Sequence, residues 1–237
     1  SQHEEDVTDG SGRVRYYLDR LDVSNPAEPK LLPKINIPGQ VVHFDGARQR
    51  LVTLEYLYSE KAGLTWQECY EQGAQSYIDY NTQVCRTYRK RANALVLAND
   101  TARRVSLVDL DSDQRNSGSI AVSTQRLFVS THNKRAWNST GQPPEQRVES
   151  FAFNPEGQLV RLKPVDVDDG SYWGQLYARD ARAFTSSSGR LTVIDTRGED
   201  PTIKHHDMQG WGCNSLEVSG DRAYCALGQY GVFGVDL

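Results

Sequence analysis

Three short phrases recur in a constant order along the 237-residue chain, and this recurrence constrains its fold more than any other feature. The first is a tight turn followed by arginine and a β-run, as in "ARQRLVTL", "STQRLFVS", "ARDARAFTS" and "SGDRAYCAL". Its arginines are Arg50, Arg126, Arg182 and Arg222, spaced 76, 56 and 40 residues apart. The second is a strand ending in Asp or Asn: "RLDVSNP", "LVLAND", "SFAFNPEG", "LTVIDTRGEDP" and "GVFGVDL". The third is a strand running into a polar turn, in "KINIPG", "LVDLDSD", "PVDVDDG" and "HHDMQGW". Its aligned residues Asn36, Asp109, Asp166 and Asp207 are spaced 73, 57 and 41. Markers that stretch and shrink together define a unit of about 41 residues with insertions in two copies. Long helical periodicity is absent, and short alternating runs of Val, Leu, Tyr and Thr dominate. Four short strands per unit at this period predict an all-β chain, a β-propeller of four-stranded antiparallel blades whose faces are sealed by their neighbours. A β-sandwich, the competing all-β architecture, does not explain the constant marker order.

With strands named A to D outward from the axis, the turn-plus-arginine marker is the A–B hairpin, the second marker closes strand C, and the third is strand D. Residues 1–12, "SQHEEDVTDGSG", then form a flexible acidic segment, and 13–237 form the blades. The insertions at 59–91 and 133–146 both fall between strands B and C. B–C loops and D–A connections share one face of a propeller, and elaborated loops on a rigid scaffold commonly carry binding. Assigned in order, the strands number seventeen: C and D, three complete blades, then A, B and C. This count predicts about four to five blades and an unfinished ring. The expected completion comes from strands of a partner chain, such as the N-terminal part of the same precursor, or from an envelope complex. The competing reading is an ordinary five-bladed closure in which one of two C strands is displaced. Unpaired edges and uncovered apolar faces are poorly tolerated by an isolated chain.

Composition narrows the partners. A net charge of −4 disfavours nucleic acid, because phosphate binding requires a basic surface. No apolar run approaches the roughly 18–20 residues that cross a bilayer, and the acidic start lacks a signal-peptide core. Four cysteines fall as two local pairs, Cys69 with Cys85 and Cys213 with Cys225, without the C-x-x-C spacing of zinc or redox sites. Each pair encloses a short loop that a disulfide would staple, which points to the periplasm, the cell surface or the exterior. The alternative is four unrelated buried thiols. Sequons at Asn99 and Asn138 bear on glycosylation only in a eukaryotic host.

The phrases "LDVSNPAEPKLL", "LTVIDTRGEDPTI" and "DRAYCALGQYGVFGVDL" resemble blades of secreted bacterial proteins with a C-terminal β-propeller domain, and the related LVIVD-type repeats. The resemblance covers most of 13–237 outside the insertions. It implies the propeller fold and secretion, and an interaction module rather than a defined activity. The run "SFAFNPEGQLVRL" departs from it in carrying Asn154 where Asp is usual.

Among candidate sites, "DLDSD" and "DVDDG" are the sharpest. Asp111 and Asp113 in one, with Asp168 and Asp169 in the other, occupy equivalent D–A turns. Alternating carboxylates there suit a hard cation such as Ca²⁺, although neither run has a complete twelve-residue Ca²⁺ loop and repeated Asp is also ordinary turn chemistry. Tyr172, Trp173 and Trp211 open A strands on the same face and could form an aromatic binding platform or pack between blades. His205 and His206 are adjacent on a strand, so their rings point to opposite faces and do not share a metal. Ser186 to Gly189 lacks a nucleophile-elbow pattern. "TYRKRAN" is a locally basic loop end. The expected function is therefore a non-catalytic extracytoplasmic module for protein binding or assembly. The alternative is a Ca²⁺-dependent propeller hydrolase, for which the A-strand starts offer only His43 as an obvious inward ligand.

Overall fold

The computed structural model describes residues 2–6, 14–71, 75–79, 83–112, 115–133, 146–167, 175–187, 189–208 and 212–237. Among these residues the chain is all-β: twenty strands form five antiparallel sheets, with one short helix and one 3₁₀ turn. Sheet I contains β1 (Gln2–Asp6), β2 (Val14–Asp22) and β3 (Lys30–Ile37). Sheet II contains β4 (Gln40–Asp45), β5 (Arg50–Ala62), β6 (Gln75–Asp79), β7 (Val84–Ala98) and β8 (Thr101–Asp109), with helix α1 (Trp66–Glu71) between β5 and β6. Sheet III contains β9 (Arg115–Val122), β10 (Arg126–Asn133), β11 (Gln146–Phe153), β12 (Leu159–Arg161) and β13 (Val165–Val167). Sheet IV contains β14 (Leu176–Arg179), β15 (Arg182–Ser187), β16 (Arg190–Asp195) and β17 (Thr202–Asp207). Sheet V contains β18 (Ser215–Ser219), β19 (Arg222–Ala226) and β20 (Val232–Asp236).

The marker phrases land on corresponding strands. Arg50, Arg126, Arg182 and Arg222 each open the second strand of sheets II to V, and the Asp- or Asn-terminated phrases form β2, β7, β11, β16 and β20. Three strands lie beyond the seventeen expected. One is β1, within the acidic segment expected to be loop, which pairs antiparallel with β2 from Gln2 opposite Leu18 to Asp6 opposite Val14. The second is β6, inside the first insertion. The third arises because the outer strand of sheet III is split: β12 and β13 both pair with β11 but are separated by Leu162, Lys163 and Pro164. Pro164 has no N–H to give to the ladder, so continuous pairing stops there.

The sheets pack face to face in chain order, because strand residues alternate between the two neighbours. On β16, Ile194 packs toward sheet III with Phe128 and Ala183, while Leu191 and Val193 pack toward sheet V with Val218 and Ala223. On β10, Phe128 faces sheet IV, while Leu127 and Val129 meet Leu54, Ala92 and Ala94 of sheet II. Leu51 and Leu95 face the other way, onto Ile35 and Ile37 of sheet I. The central strands therefore read as runs of buried residues, whereas the strands of sheet V alternate buried and exposed. Among the described residues, no hydrophobic cluster joins sheet V to sheet I.

Local chemistry supports these connections. Gly39, with φ +76°, turns β3 into β4, and a Cβ there would overlap the Leu54 carbonyl. Arg20 of β2 ties sheet I to the β7–β8 turn by donating to the Asn99 carbonyl at 2.8 Å and to Asp100 at 2.6 Å. The first insertion lengthens β5 and β7 into an arm paired from Arg50 opposite Val96 out to Ala62 opposite Val84. At its tip α1 opens with a capping box: the Thr65 N–H donates to Glu68 Oε2 at 2.8 Å and the Glu68 N–H donates to Thr65 Oγ1 at 3.2 Å.

Candidate functional site

Of the four candidate metal carboxylates, Asp111 is described, and Asp113, Asp168 and Asp169 lie outside the described residues. Asp111 sits between β8 and β9 with 5% of its surface exposed. Its Oδ1 accepts the Ser117 N–H at 2.6 Å and the Ser117 hydroxyl at 2.8 Å, and its Oδ2 accepts the Lys90 N–H at 2.5 Å. Lys90 Nζ in turn donates to the Ser117 carbonyl at 3.2 Å. Asp111 thereby ties β7 of sheet II to β9 of sheet III. Among the described residues, no three or more His, Cys, Asp or Glu side chains gather into a group that could hold a metal ion. Tyr172, Trp173 and Trp211 also lie outside the described residues, as do residues 134–145 of the second insertion.

His205 and His206 take opposite faces of β17, as adjacent strand residues must: His205 Nδ1 meets Thr192 Oγ1 at 3.0 Å, while His206 Nε2 is buried without a hydrogen-bond partner among the described residues. His43 Nε2 is likewise buried without one, and burial, together with nearby Arg50, lowers the imidazole pKa despite Asp45. Ser186 Oγ accepts the Cys213 N–H at 2.8 Å, which places it in the sheet IV to sheet V contact.

Both cysteine pairs are disulfides. Cys69 of α1 joins Cys85 of β7, with Cα atoms 5.5 Å apart, and pins the helix to the arm. Cys213, two residues before β18, joins Cys225 of β19, with Cα atoms 5.3 Å apart. Among the described residues, no helix is long and apolar enough to cross a membrane.

The outer edge of sheet V differs from those of the three sheets before it. Sheets II, III and IV each pair a further strand outside the one carrying the second marker; sheet V ends at β20. In the β19–β20 ladder, the Leu237 N–H donates to the Asp221 carbonyl and the Leu227 N–H to the Gly231 carbonyl. Antiparallel pairing alternates, so Ala223 opposite Val235 and Cys225 opposite Phe233 are the remaining hydrogen-bonded pairs. The main-chain groups of Val232, Gly234 and Asp236 therefore point away from β19, and among the described residues they meet no partner. Gly231, with φ +87°, sets the chain into this strand after the 3₁₀ turn. Val232 is 69% exposed on this edge. No family model matches the chain, and no curated protein matches it.

Sequence reasoning placed the equivalent strands of successive sheets by their markers, and missed β1, α1 and β6. A usable signal for α1 was present: Thr65-Trp-Gln-Glu68 has the S/T-x-x-E spacing of a capping box. Nothing comparable marks β1, whose acidic sequence has little strand preference.

Proposed function

We propose that this chain is part of an extracytoplasmic β-propeller that acts in binding and assembly rather than catalysis, and that the edge of β20 receives a strand from a second polypeptide. The observation that carries this reading is the row of outward main-chain groups at Val232, Gly234 and Asp236 on a sheet without the further strand that sheets II, III and IV pair at the equivalent position. An exposed strand edge is a template for strand addition, in which main-chain hydrogen bonds supply affinity. Face-to-face stacking of sheets I to V in chain order supports the propeller reading. Two disulfides support an oxidising compartment. The resemblance to secreted propeller repeats agrees with both.

Native and denaturing mass measurement of material from its natural host tests the proposal. A second polypeptide that leaves only on denaturation is the expected result. Gly234→Pro removes the central outward N–H, and a Cβ at that position would lie in ordinary contact, 3.6 Å, with the Tyr224 ring. This variant is expected to fold and to weaken retention of the second polypeptide about tenfold, the value of one net hydrogen bond. A single monomeric polypeptide, cooperatively folded and indifferent to Gly234→Pro, overturns it.

A further inference from the structure

At the end of the molecule opposite the inserted arm, sheets II and III enclose a cleft of about 720 Å³. Four hairpin regions wall it. Arg48 and Arg50 come from the β4–β5 turn, Arg103 from β8, Arg126 from the start of β10, and Phe153 and Glu156 from the β11–β12 turn. Asp45 behind the wall pairs with Arg48 at 2.9 Å and Arg50 at 3.2 Å. Four guanidiniums against Asp45 and Glu156 leave an excess of two positive charges, within a chain whose net charge is −4.

The marker arginines of the repeat meet their carboxylates differently from sheet to sheet. In sheets IV and V the marker arginine faces a carboxylate across the ladder: Arg182 pairs with Asp195 at 3.2 Å and Arg222 with Asp236 at 2.8 Å. At the same register Arg50 faces Val96 and Arg126 faces Ala152; Arg50 meets Asp45 across the other ladder, on β4. Arg126 instead donates to the neutral oxygens of Thr196 and Gln125. Arg103 is exposed and makes no ion pair among the described residues.

Arg50 is held in place before any ligand arrives. Its side chain is 4% exposed, it donates through Nη2 to Asp45 and to the Thr124 carbonyl, and its guanidinium carbon lies 3.6 Å from the centre of the Phe153 ring. Its Nε is buried and has no hydrogen-bond partner among the described residues, a donor that an oxyanion would satisfy. A guanidinium fixed in this way binds an oxyanion with little further loss of side-chain freedom. The cleft is far larger than an inorganic ion and falls in the size range of small-molecule sites, about 300–1,000 Å³. Val96, Phe153 and Pro155 supply an apolar wall for an organic group.

We propose that this cleft binds a phosphate monoester, its dianionic phosphate against Arg50 and Arg103 and its organic group against Phe153. The proposal is independent of the strand-edge reading, because it concerns residues of different sheets. Calorimetric titration of the intact chain at low salt tests it, with phenyl phosphate as the probe and inorganic phosphate and benzoate as comparators. Arg103 and Glu156 are both exposed, so replacing either leaves the packed core intact. Saturable binding of phenyl phosphate is expected, weakened about tenfold by Arg103→Gln, the loss of one charge-assisted contact, and strengthened by Glu156→Gln. Equal affinity for inorganic phosphate overturns the role of the apolar wall, and equal affinity for benzoate overturns the preference for a dianion. Absence of binding, or affinity unchanged in both variants, overturns the site itself.

Discussion

Asp195 shows what a recurring residue contributes. Burial by itself would raise its pKa, but hydrogen bonds from the Arg197 side chain and main chain and from Arg182 hold it at about 2. A carboxylate depressed in the folded state stabilises it above the unfolded pKa near 3.9, and that contribution is lost as pH falls through about 2. Stability is therefore expected to fall by about 2 kcal/mol between pH 4 and pH 2 from this group. Urea midpoints across that window check it, and Asp195→Asn should remove that part of the slope. The sequence revealed Asp195 as a strand-end repeat, and the fold explains the recurrence: Arg182 and Asp195 are cross-strand partners, as are Arg222 and Asp236. Asp111 was also visible in the sequence, but as a candidate ligand. Its position as an acceptor between Lys90 and Ser117 depends on two sheets meeting, which no local pattern encodes.

At the scale of elements, the two disulfides should behave differently. Cys69–Cys85 closes an arm that projects beyond the packed sheets, with α1 resting against β6 and β7. Replacing both cysteines with serine is expected to raise protease sensitivity within residues 59–91 while leaving the main thermal transition nearly unchanged. Cys213–Cys225 instead ties the segment entering β18 to β19 of a three-stranded sheet, and Cys225 is fully buried beside that sheet's contact with sheet IV. Its removal is expected to cost up to about 3 kcal/mol, the scale for a loop of this length, measurable as a lower denaturation midpoint. Both pairings were legible from cysteine spacing alone. The arm's third strand was not, because the insertion has no repeat partner elsewhere in the chain against which to align it, and its helix was marked only by the capping-box spacing of Thr65 and Glu68.

For the whole molecule, stacking predicts a gradient of stability. Sheets II, III and IV are each packed on both faces, whereas sheets I and V each make one of the described core clusters. In such arrays stability is close to a sum of nearest-neighbour terms. Hydrogen exchange should therefore be slowest in β5, β7, β10, β11, β15 and β16, and faster in β2 and in sheet V; uniform protection across all five sheets would contradict this. The sequence alone determined the all-β class, the strand order and the identity of equivalent strands, because period-2 alternation and turn residues act within a few residues of chain. Only the tertiary structure decided that Gln2–Asp6 would find β2, that Asp111 would be enclosed, and that Arg50 and Arg103 would share a cleft with Arg126. These depend on which faces and ends of separate sheets come together, and the contact free energy that selects them exists only once the sheets have packed.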